Sequence, residues 1–206
     1  MQLARILLFL IIQLFNIGIF YVGLSYVFID GNESYLIGKG EFVDQPIFIN
    51  ALLTHGLSAP ITLLLVSTLV LLRIEKKALQ LHRTLGKIAL FVAVILVVPS
   101  GIGLSFYAMG GPVGKFLFIS LSFYTGYTVI AGYQAIKAGH TKKHQHWMNE
   151  LLILLCSAII LRLLITFFSL VLDWKGDTMY NTAAFLSWVP WILLLKFLHT
   201  KAYNAN

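Results

Sequence analysis

The sequence predicts an all-α membrane protein, a bundle of six transmembrane helices, and three observations carry that prediction. First, 59% of the 206 residues are hydrophobic and only 11% are charged, with a mean hydropathy of +0.86; a soluble domain carries about 25% charged residues. Second, six apolar runs are each long enough to cross a hydrocarbon core of about 30 Å. Third, the cations gather in alternate connectors, the bias of a multipass membrane protein. No soluble domain is expected, and residues 1–206 read as one transmembrane domain.

The first run covers about 6–29. Arg5 precedes it as it would a signal peptide, but the run exceeds an h-region of roughly 7–15 residues and no small-x-small cleavage site follows. It is expected to be retained, with Gln13 and Asn16 turned toward neighbouring helices. A polar, acidic loop spans 30–46, and the second run follows at about 47–72 with His55 and Pro60 inside it. A basic connector holds Arg73, Lys76, Lys77, Arg83 and Lys87. The third run, about 85–108, carries Pro99-Ser100-Gly101 and Gly103, which predict a kink and close helix packing. Gly110-Gly111-Pro112 makes a tight turn.

The fourth run covers about 113–136, where Ser120, Tyr124, Tyr127, Ala131 and Gln134 recur at helical spacing as a polar or small face. After a second basic connector, 137–146, the fifth run spans about 147–172 and the sixth about 182–198, followed by a polar tail expected to be mobile. There is no internal repeat of the kind that builds inverted-repeat transporters. Trp147, Trp174, Trp188 and Trp191 fit an aromatic belt at the membrane interfaces.

Charge sets the expected orientation. Arg5, Arg73, Lys76, Lys77, Arg83, Lys87, Lys137, Lys142, Lys143, Lys196 and Lys201 share one side, against Lys39, Lys115 and Lys175 on the other with six of the eight acids. Both termini are therefore expected in the cytoplasm. The net charge of +7 is thus a topological feature; no basic module with interleaved aromatics is present, so nucleic acid is not an expected partner. Membrane lipids and a membrane protein partner are. The lone Cys156 excludes an internal disulfide and any cysteine-rich metal site. No phosphate-binding loop, nucleophile elbow or serine–histidine–acid arrangement occurs, and no catalytic residue is predicted.

The most informative stretch is 139–169. His140, His144 and His146 stand with Lys142 and Lys143 at the mouth of the fifth run, while Arg162 lies deep inside it. His144 and Arg162 are eighteen residues apart, about five turns, and share a helix face that Thr166 and Ser169 continue. A charge at that depth normally faces protein or a wet cavity. Arg162 lies roughly 20 Å from one end of the helix and about 15 Å from the other, and His55 lies at comparable depth. Both can line one outer-leaflet cavity, with Tyr107, Tyr124 and Tyr127 as neighbours. An arginine among hydroxyls suits a carboxylate, a quinone carbonyl or a lipid phosphate. The alternative is a structural arginine satisfied by carbonyls freed near Pro99 or Pro60.

Three pieces together resemble a known pattern: His55; His82-Arg83-Thr84-Leu85-Gly86-Lys87 opening the third run; and His144-Gln145-His146-Trp147-Met148 opening the fifth, with Arg162 behind it. The chain is similar over about 50–170 to a bacterial family of predicted multipass membrane proteins, classed as a domain of unknown function, marked by H-R-x-x-G-[RK] and H-R-x-W-M boxes and an intramembrane arginine. Gln145 replaces the second box's usual arginine, and Glu150 stands where a basic residue is usual. The resemblance implies an architecture and candidate positions, not a reaction.

The histidines admit two readings. They can contact headgroups and cap the helix mouth. Alternatively, His82 with His144 or His146 can supply the two axial imidazoles of a b-type haem, in outline similar to the haem-binding cytochromes of bacterial membranes. A zinc or copper site from His140, His144, His146, His82 and Glu150 requires the fifth helix to begin late, since i and i+2 point apart. The expected function is that of a non-enzymatic accessory or assembly subunit binding a lipid, quinone or partner helix around His55 and Arg162; the rival is a one-haem redox protein.

Overall fold

The computed structural model describes residues 2–28, 45–72 and 78–204, with side chains over 2–25, 45–72 and 78–198. The predicted loop at 30–44, and Arg73, Lys76, Lys77 and the side chain of Lys201, lie outside them. Six helices are long and apolar enough to span a membrane, and no strand occurs among the described residues. We number them α1 (Gln2–Phe28), α2 (Pro46–Leu71), α3 (Leu79–Ser105), α4 (Gly111–Lys137), α5 (Thr141–Val171) and α6 (Asp177–Asn204).

The helices outrun the apolar stretches that predict them. α5 starts at Thr141, six residues before its apolar run, and α6 begins at Asp177 and continues to Asn204 through the polar tail. Hydropathy marks only the portion suited to hydrocarbon, whereas i to i−4 bonding continues into the interface. At 31 residues, α5 is about 46 Å long at ~1.5 Å per residue. Its first turns, with the basic mouth, therefore project beyond a core of about 30 Å.

Helices α2, α3, α4 and α5 close a ring in which each packs on the next and α5 returns to α2. α1 packs on the outside against α2 and touches α5, while α6 lies against α4 and α5. Leu63 and Val66 of α2, Ala89 and Ala93 of α3, Val129 of α4, and Leu151, Leu155 and Ile159 of α5 fill the ring. Small residues let the backbones approach where lipid gives no hydrophobic driving force.

Two local features follow from proline. Pro60 has no N–H, so the carbonyl of Gly56, one turn earlier, loses its helical donor. The backbone of Gly23 in α1 packs directly on that carbonyl, at a distance that leaves no room for a Cβ. Nearby, Asn16 Nδ2 donates to Pro60 O at 3.0 Å, and Gln13 Nε2 donates to Ser67 Oγ at 2.8 Å. The two polar residues of the first run thus anchor α1 on α2, as their isolation in an apolar sequence requires.

The second feature is in α3. It is not a simple kink: Ala93–Val97 form a π-helical turn between α-helical Leu79–Val92 and Val98–Ser105. Pro99 cannot donate to the preceding turn, and the wider π turn accommodates the ring. Ser100 Oγ donates to Leu96 O, and His55 Nδ1 lies 3.2 Å from both Val97 O and Ser100 Oγ. Gly101 allows this, because a Cβ there would stand 2.8 Å from Ser122 Oγ and 3.2 Å from His55 Cε1.

Candidate functional site

The least expected side chain in the bundle is Glu150. It lies in an apolar run of α5 and is fully buried. A carboxylate there is costly unless other groups solvate it, and two do so. The Tyr124 hydroxyl of α4 donates to Glu150 Oε2. One turn back on α5, His146 Nε2 stands 2.9 Å from Glu150 Oε1. That second approach is within ion-pair range but off the line of a hydrogen bond, and Oε1 accepts no other donor. The spacing i, i+4 puts His146 and Glu150 on one helix face, and the His146 side chain keeps 15% of its surface exposed. A chain of titratable groups therefore runs from Tyr124, through the carboxylate, to the mouth of α5.

Tyr124 also faces away from the carboxylate's surroundings, into a groove. The groove, of about 490 Å³, opens between α4 and α6 and is lined by Ser120, Phe123, Tyr124, Tyr127, Trp188, Val189, Ile192, Leu193 and Lys196. Its walls are almost wholly apolar, and it is open rather than enclosed. Tyr127 stacks on Tyr124 with centroids 6.1 Å apart, Trp188 lies 6.5 Å from Tyr124, and Trp147 meets Tyr127 edge-on at 5.4 Å. The Lys196 ammonium stands 5.0 Å over the Tyr124 ring, a cation–π distance. The polar or small face predicted on α4 is the wall of this groove at Ser120, Tyr124 and Tyr127.

The histidines separate. Because α5 is already helical at Thr141, His144 and His146 point in different directions. His144 Nδ1 lies 2.9 Å from Gly132 O of α4, while His146 turns to Glu150. Gly132 permits the contact: a Cβ would collide with the Met148 side chain and lie 3.2 Å from Trp147 Cβ. His82 stands partly buried at the start of α3. His140 is exposed at the N-cap of α5. The condition for the zinc or copper reading, a late helix start, is not met, and among the described residues no three histidine, cysteine or acidic side chains converge for a metal.

Arg162 and His55 occupy the other half of the bundle. The Arg162 guanidinium is exposed and donates to Ala158 O of its own helix at 2.9 Å. The carbonyl left free by Pro60 is instead covered by Gly23. Neither Arg162 nor His55 lines the groove. Tyr124 and Tyr127 belong to the Glu150 side, Tyr107 donates to Gln45 Oε1 at 2.9 Å, and Thr166 is exposed on α5.

Sequence reasoning gave Glu150 only the role of an oxygen ligand, and assigned Trp188 to the aromatic belt and Lys196 to topology. The available signal was an acid inside an apolar run, four residues after a histidine.

Fold and site together define a class: a polytopic helical membrane protein with a buried glutamate beside an open, apolar groove. The family model described as "Predicted membrane protein (DUF2306)" matches residues 52–199, and the chain belongs to that family. The match runs beyond the motif boxes, through α6, so the helix that closes the groove is part of the family unit. No curated protein and no solved structure is similar at a significant level.

Proposed function

We propose that this protein is a non-enzymatic membrane protein that holds a lipid-soluble ring compound of the quinone class in the groove between α4 and α6. One observation carries the reading. Tyr124 forms part of the groove wall and also solvates the buried carboxylate, so an apolar, aromatic-walled site has one polar anchor at its back. Pockets for small lipophiles have this composition: mostly apolar lining with few placed polar groups. Flat aromatic walls favour a ring over an acyl chain, and entry from the bilayer side selects what lipid dissolves.

The expected orientation completes the proposal. With the basic connectors inside a bacterial cytoplasmic membrane, the Glu150 end of the bundle lies in the inner leaflet and His146 faces the cytoplasm. A small bundle without a soluble domain suits an accessory role beside other membrane proteins.

The test is saturable quenching of Trp188 fluorescence in nanodiscs by a short-tailed benzoquinol or its quinone. Trp188→Leu should remove the saturable component, and Tyr124→Phe should weaken binding about tenfold, the equivalent of one lost hydrogen bond of about 1.4 kcal/mol. Quenching that rises only in proportion to ligand partitioned into the lipid would overturn the reading.

A second reading has one specific observation behind it. The Nδ1 of His144 is engaged by the Gly132 carbonyl, the arrangement that fixes an imidazole for ligation through Nε2. With His82 as the second imidazole, a b-type haem would bridge α3 and α5. Haem-replete expression should then give a Soret band that shifts on dithionite reduction and is lost in His82→Ala; a colourless protein would remove the haem.

A further inference from the structure

We infer that the groove binds the hydroxylated, phenol-like form of its ligand and that binding sends a proton along Tyr124, Glu150 and His146 to the basic face of the membrane. The inference rests on the groove reading and specifies its ligand chemistry. The Tyr124 hydroxyl has one proton, and it is committed to Glu150 Oε2. Toward the groove the same oxygen can offer only lone pairs. A wall that presents an acceptor recognises a donor, so a ligand hydroxyl fits where a quinone carbonyl would face lone pairs with no proton between them.

The atoms balance without an oxidant. The ligand O–H bond breaks and its proton joins the Tyr124 oxygen as the existing Tyr124 proton passes to Glu150 Oε2. Rotation of the protonated carboxyl brings that proton to the position of Oε1, from which it passes to His146 Nε2, 2.9 Å away, and His146 gives up its Nδ1 proton to water, regaining a neutral ring. The ligand remains as a phenolate beside Lys196, whose ammonium lies over the Tyr124 ring and attracts that anion. The net change is one phenol ionised and one proton released.

Among the described residues, the titratable groups at the carboxylate from α4 are Tyr124 and, stacked behind it, Tyr127; from α6 it is Lys196, through Tyr124. On α5 itself, His146 faces the carboxylate and His144 is turned to Gly132. At the start of α3 stands His82, partly buried. Leu63 and Val66 of α2 and Ala89 and Ala93 of α3 pack in one apolar cluster with Leu151 and Leu155 of α5.

The experiment uses the full chain in nanodiscs at pH 7, in weakly buffered solution with a pH-indicator dye. The probe is heptyl 4-hydroxybenzoate, a lipid-soluble phenol that is mostly neutral there. Wild-type protein should release about one proton per ligand bound, the linkage expected when binding and ionisation are coupled. Glu150→Gln should keep saturable Trp188 quenching while proton release falls at least about fivefold. His146→Gln, at a residue outside the groove wall, should do the same if Glu150→Gln does not fold. Saturable binding with no proton released by wild type, or full release in both variants, overturns the inference and leaves the groove reading standing. Absence of saturable binding overturns both.

Discussion

The bond between Tyr124 and Glu150 can be weighed directly. Tyr124→Phe removes the hydroxyl and little else, since the ring still stacks on Tyr127 and faces Trp188. Glu150 is fully buried and its other oxygen has only the off-line contact with His146. The loss therefore falls in the range for hydrogen bonds to charged groups, about 1.5–3 kcal/mol. Glu150→Gln retains an acceptor for Tyr124 but gives up the charge, at a cost of about 1 kcal/mol. Both single changes weaken the same bond, so the double variant should fall short of their sum. Polar pairs in membrane proteins couple by about 0.6 kcal/mol on average and about 1.7 at most; a carboxylate with one linear hydrogen-bond donor belongs near the top, at about 1.5 kcal/mol. Reversible unfolding in mixed detergent, followed by far-ultraviolet circular dichroism, measures all four corners of the cycle. Tyr127→Phe, at a ring more than half exposed, is the control and should cost less than about 0.5 kcal/mol. Additivity within about 0.3 kcal/mol would refute the reasoning, because sites that share no partner behave that way.

Three further outcomes follow from the packing. Gly132→Ala should destabilise by about 1–3 kcal/mol through the collision with Met148 and Trp147. Gly126→Ala, whose Cβ would meet Val98 only at 3.5 Å, should be neutral or stabilising by up to about 1 kcal/mol; a thermal melt of both variants checks the contrast. Asn16→Ala removes the donor to Pro60 O and should cost about 1 kcal/mol, with protease cutting of the α1–α2 connection rising before any change at α5. Arg162→Leu should leave the thermal midpoint of the monomer within about 2 °C, since the guanidinium is exposed and bonded to its own helix. A loss as large as that of Glu150→Gln would show that Arg162 supports the fold from inside.

Much of this molecule is legible along the chain because the bilayer as solvent imposes a one-dimensional rule: each span must be long, apolar and internally hydrogen-bonded. Six runs, the inward polar residues Gln13 and Asn16, and the disturbance at Pro99 all follow from it. Depth along a span says less about neighbours. Arg162 donates to Ala158 O of its own helix, and His55 lies against Val97 O and Ser100 Oγ of α3. Tyr124, expected beside them, reaches Glu150 instead. Periodicity gives the face of a helix but not which neighbour that face meets.

The sequence by itself determined the class of fold, the number of spans and the side on which the cations collect, because hydropathy and charge act on each segment separately. Only the tertiary structure decided that a glutamate, not the arginine, is the enclosed charge, and that α6 closes a groove over the tyrosine solvating it. The physical reason is that a buried carboxylate's environment is made by other helices: Tyr124 comes from α4 and Lys196 from α6, residues that no local pattern places together.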